Sequence, residues 1–92
     1  MSYVYLIRSR KNGSLYIGFT VNLRRRLAQH NQGGSRWTKS RAPFELVYYE
    51  AYRSFEDARM REKRLKQFKK GYTELKKRLK KSIELACDGG GG

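Results

Sequence analysis

Acidic residues are scarce in this chain. Only 8 Asp and Glu stand against 22 Lys and Arg, which leaves a formal charge of +14 and a sequence pI near 10.4. Folding does not require such an excess, and its self-repulsion is mildly unfavourable, so a polyanionic partner accounts for it best. An acidic membrane surface is the competing explanation. It fits less well, because aromatics, glycines and basic residues are interleaved rather than sorted into one amphipathic anchor. Cysteine is nearly missing too. Cys87 alone excludes an intramolecular disulfide and a cysteine metal cluster, which suits a cytosolic setting. No apolar run approaches the roughly 20 residues that a membrane span needs. The opening MSYVYLIRS lacks the apolar core and cleavage site of a signal peptide. Histidine occurs once, so any imidazole chemistry is confined to His30.

What remains suits one small domain. Ninety-two residues with 38% hydrophobic and 13% aromatic content can enclose a single core and are too apolar for a disordered chain. Tyr3 to Arg8, YVYLIR, is β-branched and aromatic and reads as a strand. Asn12-Gly13 follows, the pair favoured in a two-residue hairpin turn with positive φ at both positions. Leu15 to Phe19 is then the returning strand. That turn sets Ser9 opposite Tyr16, Ile7 opposite Gly18 and Tyr5 opposite Thr20. Tyr5, Ile7, Tyr16, Gly18 and Thr20 then share a face, while Val4, Leu6, Leu15, Ile17 and Phe19 form the core face. Gly18 is expected to leave open floor between the two tyrosines.

Asn22 is placed to cap a helix over Leu23–Asn31, with Gly33-Gly34 as its stop. Leu23, Leu27 and His30 fall on one stripe of that helix, and Arg26 borders it. Residues 33–43, GGSRWTKSRAP, read as a basic glycine-rich loop. FELVYYEAY from Phe44 to Tyr52 is a third strand. Ser54 and Asp57 carry a capping-box pattern for the next helix, with Ala58, Leu65 and Phe68 as its apolar stripe and Glu62 on the same side. Gly71 is expected to interrupt. A last basic helix spans 73–86 with Leu75, Leu79, Ile83 and Ala86 inward, and residues 87–92 form a disordered glycine-rich tail. These elements make an α+β domain over 1–86: a small three-stranded antiparallel sheet flanked by helices.

Tyr3-Val4-Tyr5, then Tyr16-Ile17-Gly18, Arg26, His30, the segment from Thr38 to Pro43 and Glu62-Lys63 resemble the GIY-YIG endonuclease superfamily, in that family's order and over roughly residues 3–70. Within it the chain looks like small stand-alone bacterial members related to the nuclease domain of the excision-repair protein UvrC. The resemblance implies two motif tyrosines at Tyr5 and Tyr16, the helix arginine at Arg26, the histidine at His30 and the metal-binding glutamate at Glu62. With no second acid placed to join Glu62, a single Mg²⁺ or Mn²⁺ is expected. Two positions depart from the family pattern. Tyr3 stands where glycine is usual, and no asparagine follows Asn31, although some members have one late in the domain.

The residues permit plainer roles beside these. Tyr5 and Tyr16 can be ordinary sheet packing, and His30 can be a helix cap favoured by the dipole. An arginine triplet usually faces solvent. Glu62 can pair with Lys66 at i,i+4. As a catalytic set, Tyr5 or His30 would take a proton from water, with Arg26 and a metal favouring the Tyr5 phenolate. Arg26 would hold a phosphoryl oxygen with its planar fork. One carboxylate suffices for Mg²⁺, which keeps much of its hydration. Arg24, Arg25, Arg36, Lys39 and Arg41 are candidate backbone contacts, and Trp37 is a candidate base stack or a local core anchor. The expected function is a metal-dependent, monomeric, cytoplasmic endonuclease acting on DNA by structure or backbone readout, in repair or processing, with RNA an open alternative substrate. The rival is a non-catalytic nucleic-acid-binding domain on the same fold.

Overall fold

Alternating β-branched and aromatic residues build an antiparallel hairpin from β1 (Ser2–Ser9) and β2 (Leu15–Thr20). The computed structural model describes residues 1–33 and 36–88. A third strand, β3 (Phe44–Tyr52), pairs antiparallel with the other side of β1, giving the sheet order β2-β1-β3. Between β2 and β3 lie α1 (Leu23–Asn31) and α2 (Arg36–Arg41). After β3 come α3 (Phe55–Gln67), α4 (Lys69–Arg78) and α5 (Lys80–Asp88). The expected α+β class and three-stranded antiparallel sheet are present. No helix among the described residues is long and apolar enough to cross a membrane.

The hairpin differs from the sequence expectation at its turn. Tyr5 lies opposite Gly18, Ile7 opposite Tyr16 and Tyr3 opposite Thr20, two residues away from the pairing that an Asn12-Gly13 turn imposes. Gly13 has a φ of 77°, but Asn12 does not share a positive φ, so a type I′ turn is excluded. The Ser9 side chain explains the wider loop. Its hydroxyl oxygen accepts from the backbone N–H of both Lys11 and Asn12, at 3.1 and 3.2 Å, and curls the chain before Asn12 is reached. The backbone then closes with Ser9 N–H donating to Ser14 at 2.8 Å. A slip of two residues preserves the side-chain faces, which is why the facing assignments survive the wrong turn.

Both sides of the sheet are covered. Val4, Leu6 and Ile17 pack against Ala58, Leu65 and Leu75 from α3 and α4. On the other side Tyr5, Ile7 and Phe44 are buried, with Leu23 and Leu27 of α1 laid over them. The tyrosine face, expected to be the less apolar one, is thus a second core. β1, central in the sheet, reads as a continuous apolar run for that reason.

Four further expectations change. The basic loop over 33–43 contains α2. Gly71 lies inside α4 and interrupts nothing; the break falls at Phe68, whose backbone is extended. The single helix expected over 73–86 is two, divided at Leu79. A straight α3 of 13 residues already spans about 20 Å, so the chain must turn back before Leu75 can join Ala58 and Leu65 in one cluster. The helix reaches Asp88, and residues 89–92 of the expected tail lie outside the described residues.

α3 is also fixed to β3 by polar groups. The Glu50 carboxylate accepts two bonds from the Arg61 guanidinium, at 2.9 and 3.0 Å, one from Tyr48 Oη at 2.6 Å, and one from Tyr52 Oη. Burial pushes the two phenols up to about 12, helped by their bonds to Glu50. Burial alone would raise Glu50, yet the bonds from Arg61, Tyr48 and Tyr52 outweigh it and hold this carboxyl below the usual range. Glu50→Ala leaves these donors without an acceptor, so it should lose about 1–3 kcal/mol. In a domain this small that lowers the melting temperature by roughly 4–20 °C. Because Glu50 is depressed in the folded state, its contribution exists above the ordinary carboxyl value and disappears as pH falls through the lowered one. Thermal melts of both proteins should therefore converge on acidification; a gap that stays constant to pH 3 would show that the Glu50 charge contributes nothing.

Candidate functional site

Tyr5 stands at the centre of the sheet with only 2% of its surface exposed. The space for its ring comes from Gly18 directly across the ladder. A Cβ at position 18 would lie 2.2 Å from the Tyr5 hydroxyl oxygen and 2.3 Å from Cζ. The floor beside Gly18 is therefore not open, as the sequence suggested, but filled by the Tyr5 ring itself.

α1 brings two further groups to that ring. Asn22 caps the helix, its side-chain oxygen accepting from Arg25 N–H at 3.1 Å. At the other end the Asn31 side-chain oxygen accepts from Phe44 N–H at 2.6 Å, which ties α1 to the start of β3. Between these anchors Leu23 and Leu27 face the sheet, and His30 follows them on the same stripe. His30 is 4% exposed and sits among the rings of Tyr5, Tyr16 and Phe44 at centroid distances of 5.9, 5.3 and 5.9 Å. Sequence reasoning did not single out Asn31; its one signal was an asparagine ending a helix two residues before a glycine.

The polar contacts are directional. Tyr5 Oη is 2.8 Å from His30 Nε2, and Arg26 Nε–H donates to the same oxygen at 3.4 Å. Burial raises Tyr5 above an ordinary phenol; Arg26 opposes this, while negative charge at Tyr16 and Glu62 adds to it. Burial and the positive Arg26 push His30 below 6.5. At neutral pH both groups are therefore uncharged. In the His30 tautomer that leaves Nε2 unprotonated, the Tyr5 hydroxyl donates to that nitrogen while accepting from Arg26. Burial favours the protonated phenol over the phenolate expected beside a bound metal, and His30 Nε2 lies within hydrogen-bond reach of its hydroxyl.

Tyr16 on β2 and Glu62 on α3 complete the cluster. Glu62 lies half-buried on α3, ion-paired with Arg59 and Lys66, each at 3.2 Å. The Lys66 ammonium lies 5.6 Å from the centre of the Tyr16 ring. Tyr16 in turn lies close enough to Arg26 to help hold that guanidinium protonated. The five predicted catalytic residues thus occupy one neighbourhood across β1, β2, α1 and α3. Both readings of Glu62 meet in it, because the Lys66 pair forms within that same cluster.

The predicted phosphate-binding residues divide into two groups. Arg24 and Arg25 are exposed near the start of α1, where Arg25, Arg26, Asn22, Gln29 and Phe19 line an open notch of about 310 Å³. Arg36, Lys39 and Arg41 lie on α2, past the far end of α1, with Arg36 and Lys39 exposed. The Trp37 side chain lies outside the described residues.

No group of three acidic, histidine or cysteine side chains that could hold a metal ion occurs among the described residues. The donor set nonetheless fits a hard divalent cation, since Glu62 offers carboxylate oxygens and its partners Arg59 and Lys66 are about half exposed and can turn to solvent.

Residues 1–74 match the family model of the GIY-YIG catalytic domain. The chain is 45% identical over 67 residues to UPF0213 protein SH2523 of Staphylococcus haemolyticus, covering 72% of this chain and 80% of that one. It is 43% identical over 70 residues to a UPF0213 protein of Streptococcus pneumoniae, covering 75% and 70%. The solution NMR structure of the UPF0213 protein BH0048 from Bacillus halodurans aligns with a TM-score of 0.50 at 36% identity, covering 83% of this chain and 86% of that one.

Gly18→Ala tests the packing on which the cluster depends. The added methyl forces the Tyr5 ring away from His30, so stability should fall by about 1–3 kcal/mol. The His30 titration followed by NMR should move back up toward an ordinary histidine. Unchanged melting and an unchanged His30 titration would show that Tyr5 does not need the space at position 18.

Proposed function

Because the chain belongs to the GIY-YIG catalytic-domain family, we propose that it is a metal-dependent endonuclease that hydrolyses phosphodiester bonds in DNA. The observation that carries this reading is the Tyr5 hydroxyl held between a neutral His30 and the Arg26 guanidinium. Ordinary packing does not call for a buried phenol aimed at the only histidine and bonded to an arginine.

Hydrolysis needs a base for the attacking water and positive charge on the phosphoryl oxygens. Tyr5 Oη accepts the proton of water as it passes its own to His30 Nε2, so no phenolate has to exist beforehand. Two neutral groups thereby do what a phenol alone does poorly at pH 7. Arg26 reaches this oxygen from the notch beside Phe19 and Arg25, where a backbone phosphate can approach from solvent. Tyr16 orients the phosphate or the water beside Arg26. Glu62 would hold the Mg²⁺ or Mn²⁺, exchanging its ion pairs with Arg59 and Lys66 for the metal. When bound, that ion supplies charge neutralisation at the phosphoryl oxygens.

Substrate choice follows from the same surface. Basic groups at both ends of α1 contact the phosphate backbone, so DNA shape is read in preference to base sequence. The protein acts as a monomer, in the cytoplasm, on structures that arise in DNA repair or processing.

The test uses labelled branched, nicked and linear DNA with Mg²⁺ or with EDTA. Cleavage should require the metal, and Glu62→Gln should abolish it while DNA affinity stays the same or rises, since one repulsive charge is removed. A Glu62→Gln protein that cuts at the parent rate would make Glu62 a structural ion-pair partner. An unmodified protein that binds every substrate and cuts none would leave a nucleic-acid-binding domain.

A further inference from the structure

α1 does not cover the whole tyrosine face. It starts at Asn22, just beyond the end of β2, and finishes where Asn31 bonds the start of β3. Its path is therefore diagonal. It lies over Ile7, Tyr16 and Leu46, and leaves bare the corner formed by the start of β1 and the end of β3.

Two aromatic rings occupy that corner. Tyr3 is paired with Ala51 on one side and Thr20 on the other, while Tyr49 is paired with Tyr5. Opposite residues and residues two apart share a face, so Tyr3, Tyr5 and Tyr49 all project from the tyrosine face. The Tyr3 and Tyr49 rings meet edge to face, with centroids 5.9 Å apart and planes at 67°. Tyr49 is 51% exposed, Ala51 is exposed, and Tyr3 and Thr20 are half-buried.

We propose that the Tyr3–Tyr49 corner is a stacking subsite for one unpaired nucleobase of the nucleic acid bound beside Tyr5. The inference rests on the nucleic-acid reading above and not on its chemistry. Charge complementarity selects the occupant: a chain of +14 attracts a polyanion, and Arg26 marks where its phosphate meets this face. Aromatic rings then add a contact that every base can make, because every base has a π-face. A base inside a duplex already stacks on both sides and has no free face to offer. Tyrosine suits such a place better than a purely apolar residue, since its ring can remain wet at one end. The spacing agrees as well. Tyr3 is two residues along the strand from Tyr5, about 7 Å, and Tyr49 is directly across the ladder, about 5 Å. A base held there carries its phosphate to the hydroxyl that His30 and Arg26 orient. The preferred substrate is then a junction, flap or loop that exposes an unpaired nucleotide, not continuous duplex.

Equilibrium binding in EDTA separates this subsite from catalysis. The probes are a single-stranded oligonucleotide carrying 2-aminopurine and a hairpin duplex of the same sequence. The unmodified protein should bind the single strand more tightly and quench its fluorescence. The Tyr3→Leu/Tyr49→Leu double variant keeps apolar bulk on the strands but has no rings. It should lose at least about fivefold in single-strand affinity, the lower bound for one base–aromatic stack, while duplex affinity changes by less than about twofold. Phe68→Leu, at an exposed aromatic on the helical side of the molecule, should alter neither. Equal losses on both probes, or no loss on either, would overturn the proposal. So would sedimentation showing a dimer that the double variant abolishes, because the corner would then be a self-association face. A protein that stacks the base but cuts no DNA would leave this subsite standing and remove the nuclease reading.

Discussion

The hydroxyl of Tyr5 is the point on which the molecule depends. It is buried at the middle of the central strand, and three residues on two other elements must agree for it to be tolerated there. β2 supplies the volume at Gly18, and the end of α1 supplies a hydrogen-bond partner in His30 Nε2. The middle of α1 supplies a donor in Arg26. An unbonded buried hydroxyl would cost about 1–3 kcal/mol, so each partner stabilises the fold as well as the site. The same interaction sets protonation. Burial raises the phenol and lowers the imidazole, and Arg26 adds to the second effect. The result is a neutral pair.

Much of this was legible from residue types alone. The strand alternation gave the correct faces, Asn22 gave the start of α1, and Ser54 gave the start of α3, where its hydroxyl accepts from Asp57 N–H at 3.3 Å. The stripe Leu23–Leu27–His30 placed the histidine correctly because helix periodicity does not depend on the rest of the fold. What failed depended on contacts distant in sequence or on one local competitor. The Ser9 hydroxyl outcompeted the Asn12-Gly13 turn signal by capturing two backbone N–H groups. The turn at Phe68 comes from the need to return Leu75 to the core, which no residue near Phe68 announces. That α1 lies over the tyrosine face, making it a core and raising the Tyr5 phenol, could not be read from a pattern confined to two strands.

The two sides of the sheet divide the work. On one, apolar side chains and the Glu50 network hold α3 against β3, where Lys66, paired with Glu62, lies over the Tyr16 ring. On the other, α1 carries the histidine and the arginine. Tyr5 and Tyr16 lie where the two arrangements meet, next to a corner the helix leaves uncovered. A domain of 92 residues has little spare core, and here the packing residues and the candidate catalytic residues are largely the same side chains.

Single-turnover cleavage by Tyr5→Phe across pH tests the central claim most directly. The substitution removes one oxygen and leaves the ring in the space opposite Gly18. The account predicts a rate at least about 100-fold below the parent, with DNA affinity retained. In the parent, the rate should fall on the acid side only as pH drops through a His30 value below 6.5, since His30 must be neutral to accept the proton. A folded Tyr5→Phe protein that cleaves at the parent rate would show that this hydroxyl moves no proton in the reaction.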